Sequence, residues 1–141
     1  MIDSARHYLL PKTIKKVIDG MSASKLNVLH WHIVDADSFP LYLETAPELA
    51  EYGAYRTFEG DLKIYTKADI QDILNYALLR GVVVMPEIDM PGHTYSWNLS
   101  PKWKGVVACP DMNSPQVLAG QLDPREPLTF DVIKLVLEET L

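Results

Sequence analysis

Several features are scarce or missing in this chain of 141 residues. No apolar run approaches the roughly 20 residues that a membrane-spanning helix needs. Basic residues do not cluster with aromatic ones and the formal net charge is −6, so the composition argues against nucleic acid as a partner. The only cysteine, Cys109, is either a small buried apolar side chain or half of a disulfide whose partner lies outside these residues. Asp3 and Arg6 interrupt the first apolar residues, so no signal peptide is expected here.

The remaining composition is that of a globular protein, with 48% hydrophobic residues, and its apolar spacing alternates between helix and strand. A helix is predicted over about residues 11–23, followed by a buried strand over 26–34. A second helix is predicted to begin with Thr66 as its N-cap and to end at Gly81. A second buried strand over 82–88 follows directly.

Two segments, 36–65 and 90–127, contain many breakers and are predicted to be loops, the first with one helical turn around residues 47–52. Loops this long are usually functional or cover a ligand. A last helix is predicted with Thr129 as its cap. Its predicted buried side consists of Phe130, Ile133, Val136 and Leu137. No stop signal follows, so we expect the domain to continue past these residues.

Alternating strands and helices predict an α/β fold with a parallel sheet and right-handed crossovers. Met1–Arg6 contains a short segment that fits the end of a preceding strand. The pattern therefore predicts roughly the first three β/α units of a (β/α)8 barrel, which needs about 250 residues when complete. We expect residues 1–141 to be one part of such a domain.

Polar residues stand where the predicted strands end, which is where parallel α/β proteins bind ligands. Asp35 closes the first long strand, and Asp89 and His93 follow the second. A Pro-Gly turn just before His93 would aim its ring at the pocket. Asp35 and His93 are predicted to be functional, whereas Asp89 is equally well explained as a structural residue. Arg6 is either a hydroxyl- or carboxylate-binding residue at the mouth of the first strand or a solvated surface residue.

Other polar residues favour structural interpretations. His30 and His32 share one strand face and could chelate a metal, but a hydrogen-bonded layer inside a barrel is the favoured alternative. Glu87 is predicted to be structural, and Asp37 to form a turn with Ser38. Four aromatic residues in the loops either stack on a ligand ring or pack the loops down: Tyr55, Tyr95, Trp97 and Trp103.

Several ordered motifs resemble those of the family 20 glycoside hydrolases, and within that family those of the lysosomal β-N-acetylhexosaminidases. The resemblance is carried by Arg6-His7-Tyr8-Leu9, residues 25–35, Ser38-Phe39-Pro40 and Pro86-Glu87-Ile88-Asp89-Met90-Pro91-Gly92-His93-Thr94. It implies a (β/α)8 barrel that removes terminal β-linked N-acetylglucosamine or N-acetylgalactosamine from glycoconjugates. It also implies a retaining, substrate-assisted route in which the acetamido oxygen of the substrate attacks the anomeric carbon.

The resemblance further implies roles for single residues. Arg6 would bind hydroxyls of the terminal sugar, and Asp35, His93 and Asp89 would support the acid/base glutamate. No metal or other cofactor is implied, which removes the chelate interpretation of His30 and His32. The expected partner is a glycan, with neither nucleic acid nor membrane. The resemblance implies a lysosomal or secreted location and allows a dimer for a full-length relative.

One departure from the family is large. The acid/base pair belongs to a His-x-Gly-Gly-Asp-Glu motif, and this sequence has neither a Gly-Gly nor an Asp-Glu step. Glu138-Glu139 lies in a helical pattern and is not a substitute. The resemblance also implies that Cys109 pairs with a cysteine beyond that motif. We therefore expect a part of a hexosaminidase that is inactive alone; the alternatives are a truncated paralogue that binds glycans or a subunit, and a metal-dependent barrel hydrolase.

Overall fold

The computed structural model describes residues 1–108, 110 and 120–140. Cys109 and its predicted disulfide lie outside these residues. Three parallel strands form the central sheet in the order β1-β2-β3. The strands are β1 (Ile2–Asp3), β2 (Val28–Val34) and β3 (Val83–Ile88), and the helices are α1 (Pro11–Ala23), α2 (Pro47–Gly53), α3 (Lys67–Leu78) and α4 (Pro127–Thr140). The predicted order of strands and helices and the parallel sheet are confirmed.

Local sequence signals account for the two helices that flank the sheet. α1 starts at a proline, which suits the first helical position, and buries Ile14, Ile18 and Met21. α3 starts with a complete capping box, in which the Thr66 hydroxyl accepts from the backbone N–H of Asp69 and the Asp69 side chain accepts from that of Thr66. Three residues after α3, Gly81 adopts a φ of +68° that suits glycine, and the chain turns into β3.

The two faces of the sheet differ in their surroundings. Leu29, Trp31 and Ile33 of β2 are each 1% exposed and belong to the hydrophobic core. The opposite face is partly open, with Val28 50% exposed, and on β3 Val83 65% and Met85 50% exposed, so the prediction of buried strands was wrong for this face. Alternation along a strand places these two sets on opposite sides.

β2 contains an irregularity just before its end. His32 pairs with Glu87 and Val34 with Ile88, so β2 has one more residue than β3 in this interval. Such a bulge bends a strand and re-aims the side chains that follow it. Strict alternation would place Asp35 opposite to His32, but with the extra residue Asp35 reaches the same face, and the two side chains are in contact.

The long loops contain more structure than the sequence predicted. The turn predicted around residues 47–52 is the seven-residue helix α2, and Gly53 O, at its end, accepts a hydrogen bond from Phe39 N. After β3 come a 3₁₀ helix, Tyr95–Leu99, and an antiparallel pair of short strands, β4 (Val107–Ala108) and β5 (Gln121–Leu122). These elements lack the long periodic pattern on which the prediction of helices and strands depended.

The prediction for the last helix was partly wrong. α4 begins at Pro127, and Thr129 lies inside it, where its buried hydroxyl donates to Val106 O at 3.3 Å. The buried side consists of Thr129, Val132 and Val136, whereas Phe130 is 58% and Leu137 38% exposed. The helix starts three residues earlier than the predicted cap implies, and its buried face shares only Val136 with the predicted one. Among the described residues, no helix is long and apolar enough to cross a membrane.

Candidate functional site

The candidate site lies at the carboxyl ends of β1, β2 and β3, and Arg6 is its central cation. Asp3 orders the segment after β1, because its Oδ1 accepts from the backbone N–H groups of Ala5 and Arg6, both at 3.1 Å. The guanidinium donates a hydrogen bond to Asp3 at 2.8 Å and forms ion pairs with Asp35 at 2.7 Å and with Asp37 at 3.4 Å. Burial alone lowers the pKa of Arg6, but these carboxylates raise it, so the residue stays charged.

Asp35 is the most enclosed acid of the site, with a side chain that is 1% exposed. Its Oδ1 accepts from Ala36 N at 2.5 Å, while Oδ2 lies 2.7 Å from Arg6 Nη2 and 2.8 Å from His32 Nε2. A buried carboxylate requires charged or hydrogen-bonded partners to offset its lost hydration. Asp35 has both, and its orientation is therefore fixed.

Two buried serines hold the backbone of Asp35. Ser38 O accepts from Asp35 N at 3.1 Å, and the Ser38 hydroxyl donates to Ala5 O at 2.6 Å, next to Arg6. The Ser96 hydroxyl donates to Asp35 O at 2.6 Å from the loop after β3. The three strand ends are therefore joined by hydrogen bonds behind the charged side chains.

His93 enters the site from the same loop. Its Nδ1 lies 2.8 Å from Asp89 Oδ2 and 4.0 Å from Asp35 Oδ2, and half of the side chain is exposed. The backbone of His93 has a φ of +52°, in the left-handed region that is uncommon outside glycine. The neighbouring Thr94 is buried, and its N–H donates to Gly120 O at 3.4 Å.

His32 connects this group to a second carboxylate. It is 5% exposed, and its Nδ1 lies 3.1 Å from Glu87 Oε1, while His30 contacts the other oxygen of Glu87. Burial alone lowers the pKa of His32, but hydrogen bonds to Asp35 and Glu87 outweigh it and raise the pKa above the usual value. The pKa of Glu87 is lowered by its two histidine partners despite the opposing effect of burial.

A divalent cation is poorly suited to this arrangement. One atom each of His32, Asp35 and Asp89 lies within 4.8 Å of the others, a spacing that could hold an ion. However, the Arg6 guanidinium already forms an ion pair with Asp35 Oδ2, and its positive charge would repel a metal at the same oxygen. The donors instead suit hydroxyl groups of a polar neutral ligand.

The structure distinguishes between the two interpretations of the four loop aromatics that the sequence left open. Trp97 is 0% and Trp103 3% exposed, and Trp97 packs edge-to-face on Phe39, so both tryptophans pack the loops down. Tyr55 is 37% exposed. Burial first, and then the nearby Asp37, Asp3 and Asp35 carboxylates, raise its pKa, so this ring lies beside the charged cluster. Tyr95 is half-buried in the 3₁₀ helix.

The four residues singled out from the sequence, Arg6, Asp35, Asp89 and His93, meet at one place. Sequence reasoning missed Asp3, and it set aside His32 and Asp37, both of which contact this group. The spacing of His32 and Asp35 was visible, but their contact depends on the bulge. Glu139 lies elsewhere, with its carboxylate accepting from the backbone N–H groups of residues 44 and 45.

A family model described as "Glycosyl hydrolase family 20, catalytic domain" matches residues 1–141. The chain is 43% identical over 141 residues to beta-hexosaminidase A of Caenorhabditis elegans, covering 99% of this chain and 24% of that protein. It is 42% identical over 130 residues to the beta-hexosaminidase subunit beta of Mus musculus, covering 92% and 23%. The chain thus spans about a quarter of the length of these relatives.

Solved structures of similar enzymes agree with these sequence similarities. The GH20 beta-N-acetylhexosaminidase from Streptomyces coelicolor A3(2) superimposes with a TM-score of 0.81 at 33% identity, covering 98% of this chain and 28% of that chain. A glycoside hydrolase family 20 beta-N-acetylglucosaminidase gives a TM-score of 0.82 at 30% identity, covering 98% and 32%. Nearly all of the chain therefore has the fold of one part of those enzymes, which confirms the predicted partial barrel.

Proposed function

Because the chain belongs to glycosyl hydrolase family 20, we propose that it forms the sugar-binding and supporting side of a β-N-acetylhexosaminidase active site. The observation that carries this proposal is the convergence of Arg6, Asp35 and His93 at the carboxyl ends of three adjacent parallel strands. The substrate would be a glycoconjugate with a terminal β-linked N-acetylglucosamine or N-acetylgalactosamine. A full-length form would act in the lysosome or after secretion.

In this proposal each residue has a distinct task. Arg6 keeps its charge and has a side chain that is 44% exposed, so its donors remain within reach of two sugar hydroxyls. Asp35 is too buried to meet the sugar and instead holds Arg6 and faces His93. Asp89 binds His93 Nδ1 and leaves the other ring nitrogen to orient an acid/base glutamate.

The chemical step needs groups that these 141 residues do not contain. A retaining, substrate-assisted mechanism requires one carboxylate to orient the acetamido group and an acid to protonate the leaving oxygen. Removing a general acid typically lowers the rate by about 10²–10⁴. The chain alone is therefore expected to bind a terminal N-acetylhexosamine weakly and not to hydrolyse it.

A segment exchange tests the proposal. Residues 1–141 replace the matching segment of the Caenorhabditis elegans relative, and release of nitrophenol from an N-acetyl-β-glucosaminide is measured. The chimera is expected to be active and to lose at least about 10²-fold in kcat/KM when Arg6 is changed to Ala. Arg125→Ala, at a surface arginine outside the site, serves as the control. A folded chimera without activity, or one indifferent to Arg6→Ala, would refute the proposal.

A further inference from the structure

His32 lies between the candidate site and the rest of the sheet, and the roles proposed above for Arg6, Asp35, Asp89 and His93 do not explain it. The residue is 5% exposed, so a bound sugar has no access to it. Its Nε2 nevertheless lies 2.8 Å from Asp35 Oδ2, the same oxygen that Arg6 Nη2 approaches at 2.7 Å. Two basic side chains, His32 and Arg6, therefore share this oxygen of Asp35, while Ala36 N donates to the other oxygen.

The other ring nitrogen of His32 is held from β3. Nδ1 lies 3.1 Å from Glu87 Oε1, and His30 binds the remaining oxygen of Glu87. An imidazole ring donates from both nitrogens only when it is protonated. With a carboxylate at each nitrogen, His32 is therefore stabilised as a cation.

The charged groups around His32 come from all three strands. Asp3 and Arg6 face it from the end of β1, Asp35 from the end of β2, Glu87 from β3 and Asp89 from the end of β3. Arg6 Nη1 lies 3.4 Å from His32 Nε2, an unfavourable approach of two cations that the carboxylates of Asp35, Asp3 and Glu87 offset. Loss of the Glu87 charge would leave this balance too positive and favour release of the His32 proton.

The geometry points to His32 as a positioning residue: held as a cation by Glu87, it fixes the Asp35 carboxylate in the orientation that Arg6 and His93 require. The effect of this positioning on sugar binding rests on the proposed function. Glu87 in turn acts only through His32. The protonation state of His32, which the sugar cannot reach, therefore affects how well Arg6, which binds the sugar, is ordered.

Glu87→Gln tests this inference because it keeps the shape of the side chain and removes its charge. The His32 ring is first titrated by nitrogen-15 NMR in both proteins, and N-acetylglucosamine is then titrated into each 141-residue protein at about pH 5 and at a higher pH between the two measured His32 midpoints. The midpoint of His32 titration is expected to fall. At the higher pH, the affinity of Glu87→Gln for N-acetylglucosamine should be about tenfold lower than that of the wild type. At the lower pH, the two affinities should agree within about twofold. Glu138→Gln, at an exposed acid in α4, should change neither quantity.

If Glu87 and His32 had only a structural role, Glu87→Gln would lower the affinity equally at both pH values. That result would overturn the inference. An unchanged midpoint of His32 titration would also overturn it. If the wild type binds no sugar at either pH, the expected weak binding by the chain alone is contradicted, and the segment exchange decides on the proposed function. The Arg6 guanidinium N–H signals then decide on His32 without a ligand. Their protection from exchange should be lost in Glu87→Gln at the higher pH alone, and equal protection in both proteins contradicts the inference.

Discussion

At the scale of single residues, His32 makes folding stability depend on pH. Hydrogen bonds to Asp35 and Glu87 raise its pKa above the usual value of 6.5, against the opposing effect of burial. A histidine with a raised folded-state pKa contributes stability that is complete below the unfolded value and is lost as pH rises through the folded one. The free energy of unfolding should therefore decrease above pH 6.5.

Urea unfolding at several pH values measures this decrease, and His32→Gln should remove the part of the slope that the ring contributes. His7→Gln is the control, because His7 is exposed. A wild-type stability that rises over the same interval would contradict the assignment of His32 as a cation in the folded state.

Two glycines provide a second prediction with opposite signs. Gly120 has a φ of +63°, and a Cβ there would lie 2.4 Å from Tyr95 N, so Gly120→Ala should destabilise the protein by about 1–3 kcal/mol. Gly20 lies exposed in α1 with open space around it, so Gly20→Ala should stabilise by about 0.5–1 kcal/mol. Thermal unfolding of both variants measures the difference. Equal effects would mean that Gly120 is not constrained as described.

At the scale of elements, Glu139 connects α4 to the loop after β2. Its carboxylate accepts from Glu44 N at 2.6 Å, from Thr45 N at 2.9 Å and from the Thr45 hydroxyl at 2.5 Å. Burial alone raises the pKa of Glu139, but these donors lower it, so the carboxylate stays ionised at neutral pH.

Glu139→Ala should therefore speed hydrogen exchange at the amides of Glu44 and Thr45, because both donors lose their acceptor. Glu138→Ala is the matched control one residue away, since its carboxylate is exposed and, among the described residues, forms its ion pair with Lys134 at 3.8 Å. Amide exchange followed by NMR distinguishes the two variants. Unchanged protection in Glu139→Ala would show that water or another group satisfies these amides.

The elements also show how far a sequence can be interpreted. α1 and α3 were predictable, because a proline start, a capping box and regular apolar spacing are local signals. The turn predicted around residues 47–52 lies where α2 forms. The β4–β5 pair was not predictable, since its contacts join distant segments. The same limit applies to the site: strand ends indicated Asp35, Asp89 and His93, but the contact of His32 with Asp35 required the pairing of β2 with β3.

At the scale of the whole molecule, the uncovered face of the sheet should control solubility. Val28, Val83 and Met85 are at least half exposed on that face, and β1 and β3 form the edges of the described sheet. Exposed apolar patches and open strand edges favour association. We expect the 141-residue protein to self-associate as its concentration rises.

The double variant Val83→Thr, Met85→Thr should reduce this association and keep the circular dichroism of the wild type. Leu78→Thr, Leu79→Thr is the control, because these residues are 75% and 84% exposed at the end of α3, away from the sheet face. Sedimentation velocity at several concentrations measures the effect. Equal improvement by both variants would show that total apolar surface, not the sheet face, drives association.

The extra residue in β2 has a consequence for comparing and engineering related sequences. Because the orientation of a strand side chain depends on whether an odd or an even number of residues precedes it, a gain or loss of one residue between His32 and Asp35 reverses the side on which the acid emerges. Point substitutions there change chemistry, but a change in length would disconnect Asp35 from Arg6 altogether. Library designs and alignments over this interval should therefore hold the residue count fixed and vary only residue identity.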